Sequence, residues 1–229
     1  MWNPSEKYFL SLSFPRREEF IKPPEEIDLD KVINLFSFHK TGGLAYRNAE
    51  NSHGVILPKL REFLKMEYMD NVSRNMQFKN LFNKLKNQFP EIEPFKGVDF
   101  LTKLYNDDYG VRFMADLDIL LNDTPLEPMV DYLVSELDFE RPEKTELEEC
   151  KKYRHHIKLR KLADDRVLDL ELHWRPFSVD ERRIKKDYLD FPLFVITVHN
   201  TTHYYCDRLY HLTDWIAALQ KCSDVKRIL

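Results

Sequence analysis

Glycine is scarce in this chain, five in 229 residues, so each one invites a local reason. Cysteine is scarcer still. Cys150, Cys206 and Cys222 have neither metal-ligand nor redox spacing, and they read as inert thiols of a reducing, cytoplasmic protein. No apolar run reaches membrane-spanning length, and the N-terminus has no secretory pattern. A surplus of one charge is missing too. Thirty-five basic and 39 acidic residues leave a net charge of −4, which excludes whole-chain attraction to nucleic acid and leaves only a local basic face. There is no internal repeat and no low-complexity tract.

What remains is an ordinary soluble composition, long enough for one sizeable core or a domain with a helical annex. Residues 1 to 26, with Pro23-Pro24, read as a loose lead-in. Asp28 or Asp30 caps a helix running to about His39, which Gly42-Gly43 breaks. Leu57 to Phe89 carries a long helical stripe through Leu60, Leu64, Tyr68, Val72, Phe78, Phe82 and Leu85. A short strand follows at about Ile92 to Phe95, with Pro94 marking an edge. Thr124, with Pro125 after it, opens a helix to Leu137. Glu140 to Glu149 reads as a charged connection, and Phe191 to Tyr205 and Leu209 to Leu219 as two packed helices.

The informative stretch is Lys96 to Leu121. A Lys96-Gly97 turn leads into a helix, Val98 to Tyr105, and then a turn-rich loop, Asn106 to Gly110. The strand Phe113 to Leu121 is apolar apart from two acids, Asp116 and Asp118. Strand residues two apart share a face. The two carboxylates therefore point one way, and neighbouring carboxylates in apolar surroundings repel unless a cation relieves them. Oxygen-rich sites suit Mg²⁺.

A second acidic face comes from a hairpin, Lys152 to Leu162 and Arg166 to Trp174. Its first arm sets Tyr153, His155, Ile157 and Leu159 against Arg154, His156, Lys158 and Arg160. Its second arm sets Leu168, Leu170, Leu172 and Trp174 against Asp169, Glu171 and His173. Asp116, Asp118 and either Asp169 or Glu171 can hold one or two Mg²⁺ (or Mn²⁺) ions, which orient a triphosphate and stabilise leaving pyrophosphate. Gly97 at a helix start lets a phosphate reach the backbone N–H groups, with Lys96 as a point charge. Arg112 suits a carboxylate brace or a phosphate contact, and His173 a hydrogen bond behind the metal ligands. His199 and His203, four apart, have a zinc spacing but lack the acidic partner that would support it. The basic face Arg154, His156, Lys158 and Arg160 suits a polyanion or plain solvent.

Four pieces, PFKGVDFLTKLY (94–105), VRFMADLDILLN (111–122), LDLELHWRP (168–176) and HNTTHYYCDRLYHLTDW (199–215), give the chain a family likeness. It resembles the polymerase-beta-like nucleotidyltransferase superfamily, and within it a bacterial family of uncharacterised nucleotidyltransferases. The likeness runs from about residue 30 to the C-terminus. It implies an α+β nucleotidyltransferase fold, with a small mixed sheet flanked by helices. The parts would be an N-terminal helical region (1–90), a core (91–178) and a C-terminal helical cap (179–229). It implies Asp116 and Asp118 as the metal-binding pair and Glu171, rather than Asp169, as the third carboxylate and acceptor of the hydroxyl proton. Lys96-Gly97 stands where the superfamily usually has Gly-Ser. The chain ends soon after Asp214, where many relatives continue, which implies a shortened acceptor-binding part. The implied activity moves a nucleoside monophosphate from an NTP onto a hydroxyl-bearing acceptor (protein, RNA or small molecule), with no membrane and no strong nucleic-acid signal. The alternatives are a catalytically inactive nucleotide- or partner-binding module, such as a toxin–antitoxin component, and a phosphohydrolase using the same acids.

Overall fold

The computed structural model describes residues 3–14, 23–51, 56–141, 144–163, 166–176, 195 and 209–221. His199 and His203, and the helix expected over Phe191 to Tyr205 apart from residue 195, lie outside the described residues. Two compact units are formed, one by Met1–Met76, Leu101–Phe113 and His203–Leu229, the other by Gln77–Phe100 and Met114–Thr202.

The first unit is helical. The N-terminal stretch is not a loose lead-in but a helix, α1 (Pro4–Ser13). Asn3 and Glu6 make a reciprocal capping box around it and Pro4 occupies its first turn, which satisfies N–H groups a helix start otherwise leaves open. Asp28 caps α2 (Leu29–His39), and Lys40 ends it in the left-handed region at φ 56. Gly42 and Gly43 do more than break the helix: they open α3 (Gly42–Asn51). A Cβ at Gly43 would collide with the Gly110 carbonyl and come within 2.6 Å of Asn71 Nδ2, so close approach explains that glycine. The core of this unit joins Tyr8, Phe9, Leu12, Val32, Phe36, Ala45, Ala49, Leu60 and Leu64. Leu60 and Leu64 come from α4 (Pro58–Gln88), which contributes residues to both units. Two buried asparagines interrupt its apolar stripe. Asn71 donates to the Gly110 carbonyl and Asn75 to those of Tyr109 and Arg112, fixing the loop before the acidic strand through backbone groups that would otherwise be unpaired.

The second unit holds a four-stranded mixed sheet in the order β1-β2-β4-β3. These strands are β1 (Glu93–Phe95), β2 (Asp116–Leu120), β3 (His156–Ala163) and β4 (Arg166–His173). Pro94 sits on the edge strand, where a missing N–H does least harm. β1 pairs antiparallel with β2, β2 parallel with β4, and β4 antiparallel with β3. One face is apolar: Leu117, Ile119, Leu170, Leu172, Ile157 and Leu159 are all buried. Between β1 and β2 runs α5 (Gly97–Tyr105), and after β2 comes α6 (Leu126–Leu137). Thr124 does not cap α6. Pro125 takes the cap position without a side-chain bond, and the Thr124 N–H turns back to the Leu121 carbonyl. The segment expected as a charged connection forms α7 (Lys144–Tyr153), with Cys150 buried and Lys151 paired to Glu127. The hairpin's first strand therefore starts at His156 rather than Lys152. A C-terminal helix, α8 (Leu209–Lys221), belongs to the first unit. Among the described residues no helix is long and apolar enough to cross a membrane.

Candidate functional site

The register of the sheet decides which side chains meet. Across the parallel pair, Asp116 lies opposite Asp169 and Asp118 opposite Glu171. Across the antiparallel pair, His156 lies opposite His173, Lys158 opposite Glu171 and Arg160 opposite Asp169. Directly opposed strand residues share a face. Asp116, Asp118, Asp169, Glu171, His173 and His156 thus stand on one side of the sheet, with Leu117, Ile119, Leu170, Leu172, Ile157 and Leu159 on the other.

At the centre is Asp118, 5% exposed. Its Oδ1 accepts from Lys96 Nζ at 3.0 Å and from His173 Nε2 at 2.9 Å. Burial works against ionisation, but the Lys96 ammonium and the His173 hydrogen bond outweigh it and hold the Asp118 carboxyl well below the usual carboxylate range. Lys96 reaches it because Phe95 is the register partner of Asp118. The lysine itself takes a left-handed backbone, φ 52, which a glycine would adopt without strain. Gly97 begins α5, where an added Cβ would meet Met114 Sδ at 3.1 Å.

Glu171 Oε2 lies 3.5 Å from His173 Nε2 and 3.9 Å from His156 Nε2. Burial pushes its carboxyl up, yet the hydrogen bond from His173 brings the net shift down. Asp116 has no such support. Burial, and then the charges of Asp118 and Glu171, push its carboxyl up to about 7. Four acids (Asp116, Asp118, Asp169 and Glu171) meet three bases here, Lys96 on Asp118 and Lys158 and Arg160 on Asp169. Among the described residues Asp116 and Glu171 therefore have no lysine or arginine partner of their own, and Asp118, Glu171 and His173 bring one ligand atom each to within 4.8 Å of one another. Asp116 stands beside that group on β2. Such a donor set fits a divalent cation, which would replace the proton Asp116 otherwise keeps.

Of the two acids weighed for the third position, Asp169 is engaged elsewhere, by Lys158 Nζ at 2.8 Å and Arg160 Nε at 2.9 Å. The same contacts account for Lys158 and Arg160, half of the basic face of the hairpin. Arg112 belongs to the first unit, where its Nε donates to Asp214 Oδ2 at 3.0 Å and its Nη1 to the Phe113 carbonyl. His155 differs from the expected strand alternation. It lies in a bend just before β3, and its ring turns to those of His156 and His173, with centroids 4.4 and 5.6 Å away. Burial, then the positive potential of His156, His173 and Lys96, lowers its imidazole to about 4. The adjacent His155-His156 pair was the one available signal for this cluster.

A mixed sheet carrying acid-x-acid on one strand and a third acid on its parallel neighbour, flanked by helices, defines an α+β nucleotidyltransferase fold. Residues 25–194 match the family model described as uncharacterised nucleotidyltransferase, and the chain belongs to that family. No curated protein and no solved structure matches it. Membership supports nucleotidyl transfer in general, with NTP as the substrate class and a divalent metal as the usual cofactor.

Proposed function

We propose that this chain transfers a nucleoside monophosphate from an NTP to a hydroxyl-bearing acceptor, using Mg²⁺ or Mn²⁺. The observation carrying this reading is the shared face of Asp116, Asp118 and Glu171, set by the β2–β4 register. Asp116, Asp118 and Glu171 would hold the metal, which when bound offsets triphosphate charge and stabilises the leaving pyrophosphate. The chain's own groups do the rest. His173 donates to Asp118 and Glu171 and so orients both carboxylates. Lys96 pairs with Asp118 and supplies the positive charge that the phosphates meet beside Gly97. The acceptor oxygen forms a bond to the α-phosphorus while the bond to the β-phosphate oxygen breaks. The hydroxyl proton passes to a carboxylate on this face. Arg112 is committed to Asp214, and we assign it no phosphate.

Incubation with labelled NTPs and Mn²⁺ tests this. Label transfer to an acceptor, lost by about 10³-fold or more in Asp116→Asn and in Asp118→Asn with circular dichroism unchanged, is the expected result. Robust transfer by either variant overturns the assignment. Metal-dependent NTP binding with no turnover supports a nucleotide-binding module instead, and release of free monophosphate a phosphohydrolase.

A further inference from the structure

Nucleotidyl transfer gives His173 a task but leaves its neighbours His155 and His156, and one nitrogen of His173, without one. His155, His156 and His173 each present a ring nitrogen within 4.8 Å of the other two. His156 and His173 are direct cross-strand partners, and the bend at His155 brings in the third ring. His156 Nδ1 and His155 Nε2 are 3.1 Å apart. Two nitrogens bound to one ion at metal–nitrogen distances of about 2.0–2.1 Å are separated by about 3.0–3.4 Å.

His173 gives the second observation. Its Nε2 faces Asp118 Oδ1 at 2.9 Å and Glu171 Oε2 at 3.5 Å. Carboxylates only accept, so Nε2 carries the proton. Nδ1 is then the nitrogen left over for another partner. That atom is buried with no hydrogen-bond partner, in a residue with 0% exposure. Buried polar atoms rarely lack a partner without reason. A hydrogen-bonded His155–His156 pair would explain two of the three rings, but it leaves Nδ1 of His173 without a partner.

We propose that His155, His156 and Nδ1 of His173 form a nitrogen-donor site for a divalent transition metal of the zinc class, next to the carboxylate site and sharing His173 with it. A carboxylate holding one ring nitrogen while the other binds metal is the usual arrangement at such centres. Imidazole nitrogens suit zinc, nickel, copper and iron, whereas Mg²⁺ prefers oxygen, so two ions would sort themselves between the two halves of the face. Lys96 is a nearby positive charge, but Asp118 takes it up, and the Glu171 carboxylate stands 3.9 Å from His156 Nε2. His155 and His156 are only partly buried, which leaves the ion a route in. An ion on Nδ1 locks His173 in the tautomer that donates to Asp118, so filling the nitrogen site steadies the carboxylate site. The inference stands on the imidazoles and does not rest on NTP turnover.

Metal-stripped full-length protein is titrated with Co²⁺ under saturating Mg²⁺, reading visible d–d absorption. One equivalent of Mg²⁺-resistant Co²⁺, displaced by Zn²⁺, is expected. His155→Ala and His156→Ala should each weaken it about 10–100-fold with unchanged circular dichroism, while Asp116→Asn keeps it within a few-fold. Absence of Mg²⁺-resistant Co²⁺ overturns the proposal. Unweakened, wild-type binding in both histidine variants does so too, as does binding lost in Asp116→Asn but spared in both of them. Loss of NTP transfer in a protein that still binds Co²⁺ leaves this proposal standing and removes the transfer reading.

Discussion

Two aspartates in this molecule are almost equally buried, Asp214 at 2% exposure and Asp118 at 5%, yet their surroundings differ in kind. In the first unit, Asp214 receives Arg112 Nε at 3.1 and 3.0 Å on its two oxygens and the Tyr105 hydroxyl at 2.7 Å. One acid meets one fixed cation, and the tyrosine stays protonated because burial and the Asp214 charge raise its phenol well above the ordinary value. In the second unit, Asp118 also has a cation at 3.0 Å, but two further acids act on the same space. Burial and ion pairing alone therefore mark structure. Surplus charge gathered on one face marks a place for a cation.

The largest effects separate the two. Asp118→Asn should lower transfer by about three orders of magnitude in protein that still folds, and should also lower the urea midpoint, because the charge that Lys96 and His173 hold ionised is lost. Arg112→Ala should cost stability alone. It strands Asp214 without its guanidinium and should cost about 3–5 kcal/mol in urea unfolding, while the folded fraction keeps transfer within a few-fold. An Arg112→Ala protein of ordinary stability that has lost transfer would break the contrast and put Arg112 on the phosphates.

Much of the architecture is legible in local pattern, because α2, α4, α5 and the hairpin have clean periods. The acid-x-acid strand announces its own face. α7 is hidden because charged residues blur its amphipathic pattern, with Cys150 its clearest buried residue. α1 is hidden behind aromatics, although Asn3-Pro4-Ser5-Glu6 spells a capping box. The pairing of Asp118 with Glu171 is not local at all. It depends on a parallel register between strands about 50 residues apart, which no short window encodes. The preference for Glu171 over Asp169 came from family likeness. The physical difference is that Lys158 and Arg160 claim Asp169. His155 escapes strand alternation because the strand begins one residue later.

Acidity sharpens the comparison next. Asp116 keeps its proton up to about pH 7 when folded, against 3.8 ordinarily. A raised carboxyl contributes stability that is fully present below the ordinary value and is lost as pH rises through the folded one. Metal-free protein should thus be stabilised by Asp116→Asn at pH 8, by about 1–3 kcal/mol once partial exposure is discounted. Metal must displace that proton, so Mn²⁺ affinity should fall up to tenfold per pH unit below about 7 and level off above it. In Asp116→Asn the slope should flatten. An unchanged slope in calorimetric titrations would mean that the proton belongs to another group.

The smallest effect tests the finest distinction, between Asp169 and Glu171. Both stand on the acidic face of β4. Asp169 Oδ1 and Oδ2 accept from Arg160 and Lys158, whose side chains are 54% and 41% exposed, and pairs this open contribute about 0.2–1 kcal/mol. Asp169→Asn should therefore move the unfolding midpoint by no more than that and leave Mn²⁺ affinity and transfer within about threefold. Glu171→Gln removes a charge from the group with Asp118 and His173 and should weaken Mn²⁺ by at least tenfold, read in the same titration. If the two variants exchange behaviours, Asp169 is the third carboxylate, and its pairs with Lys158 and Arg160 are the resting arrangement that an incoming metal breaks.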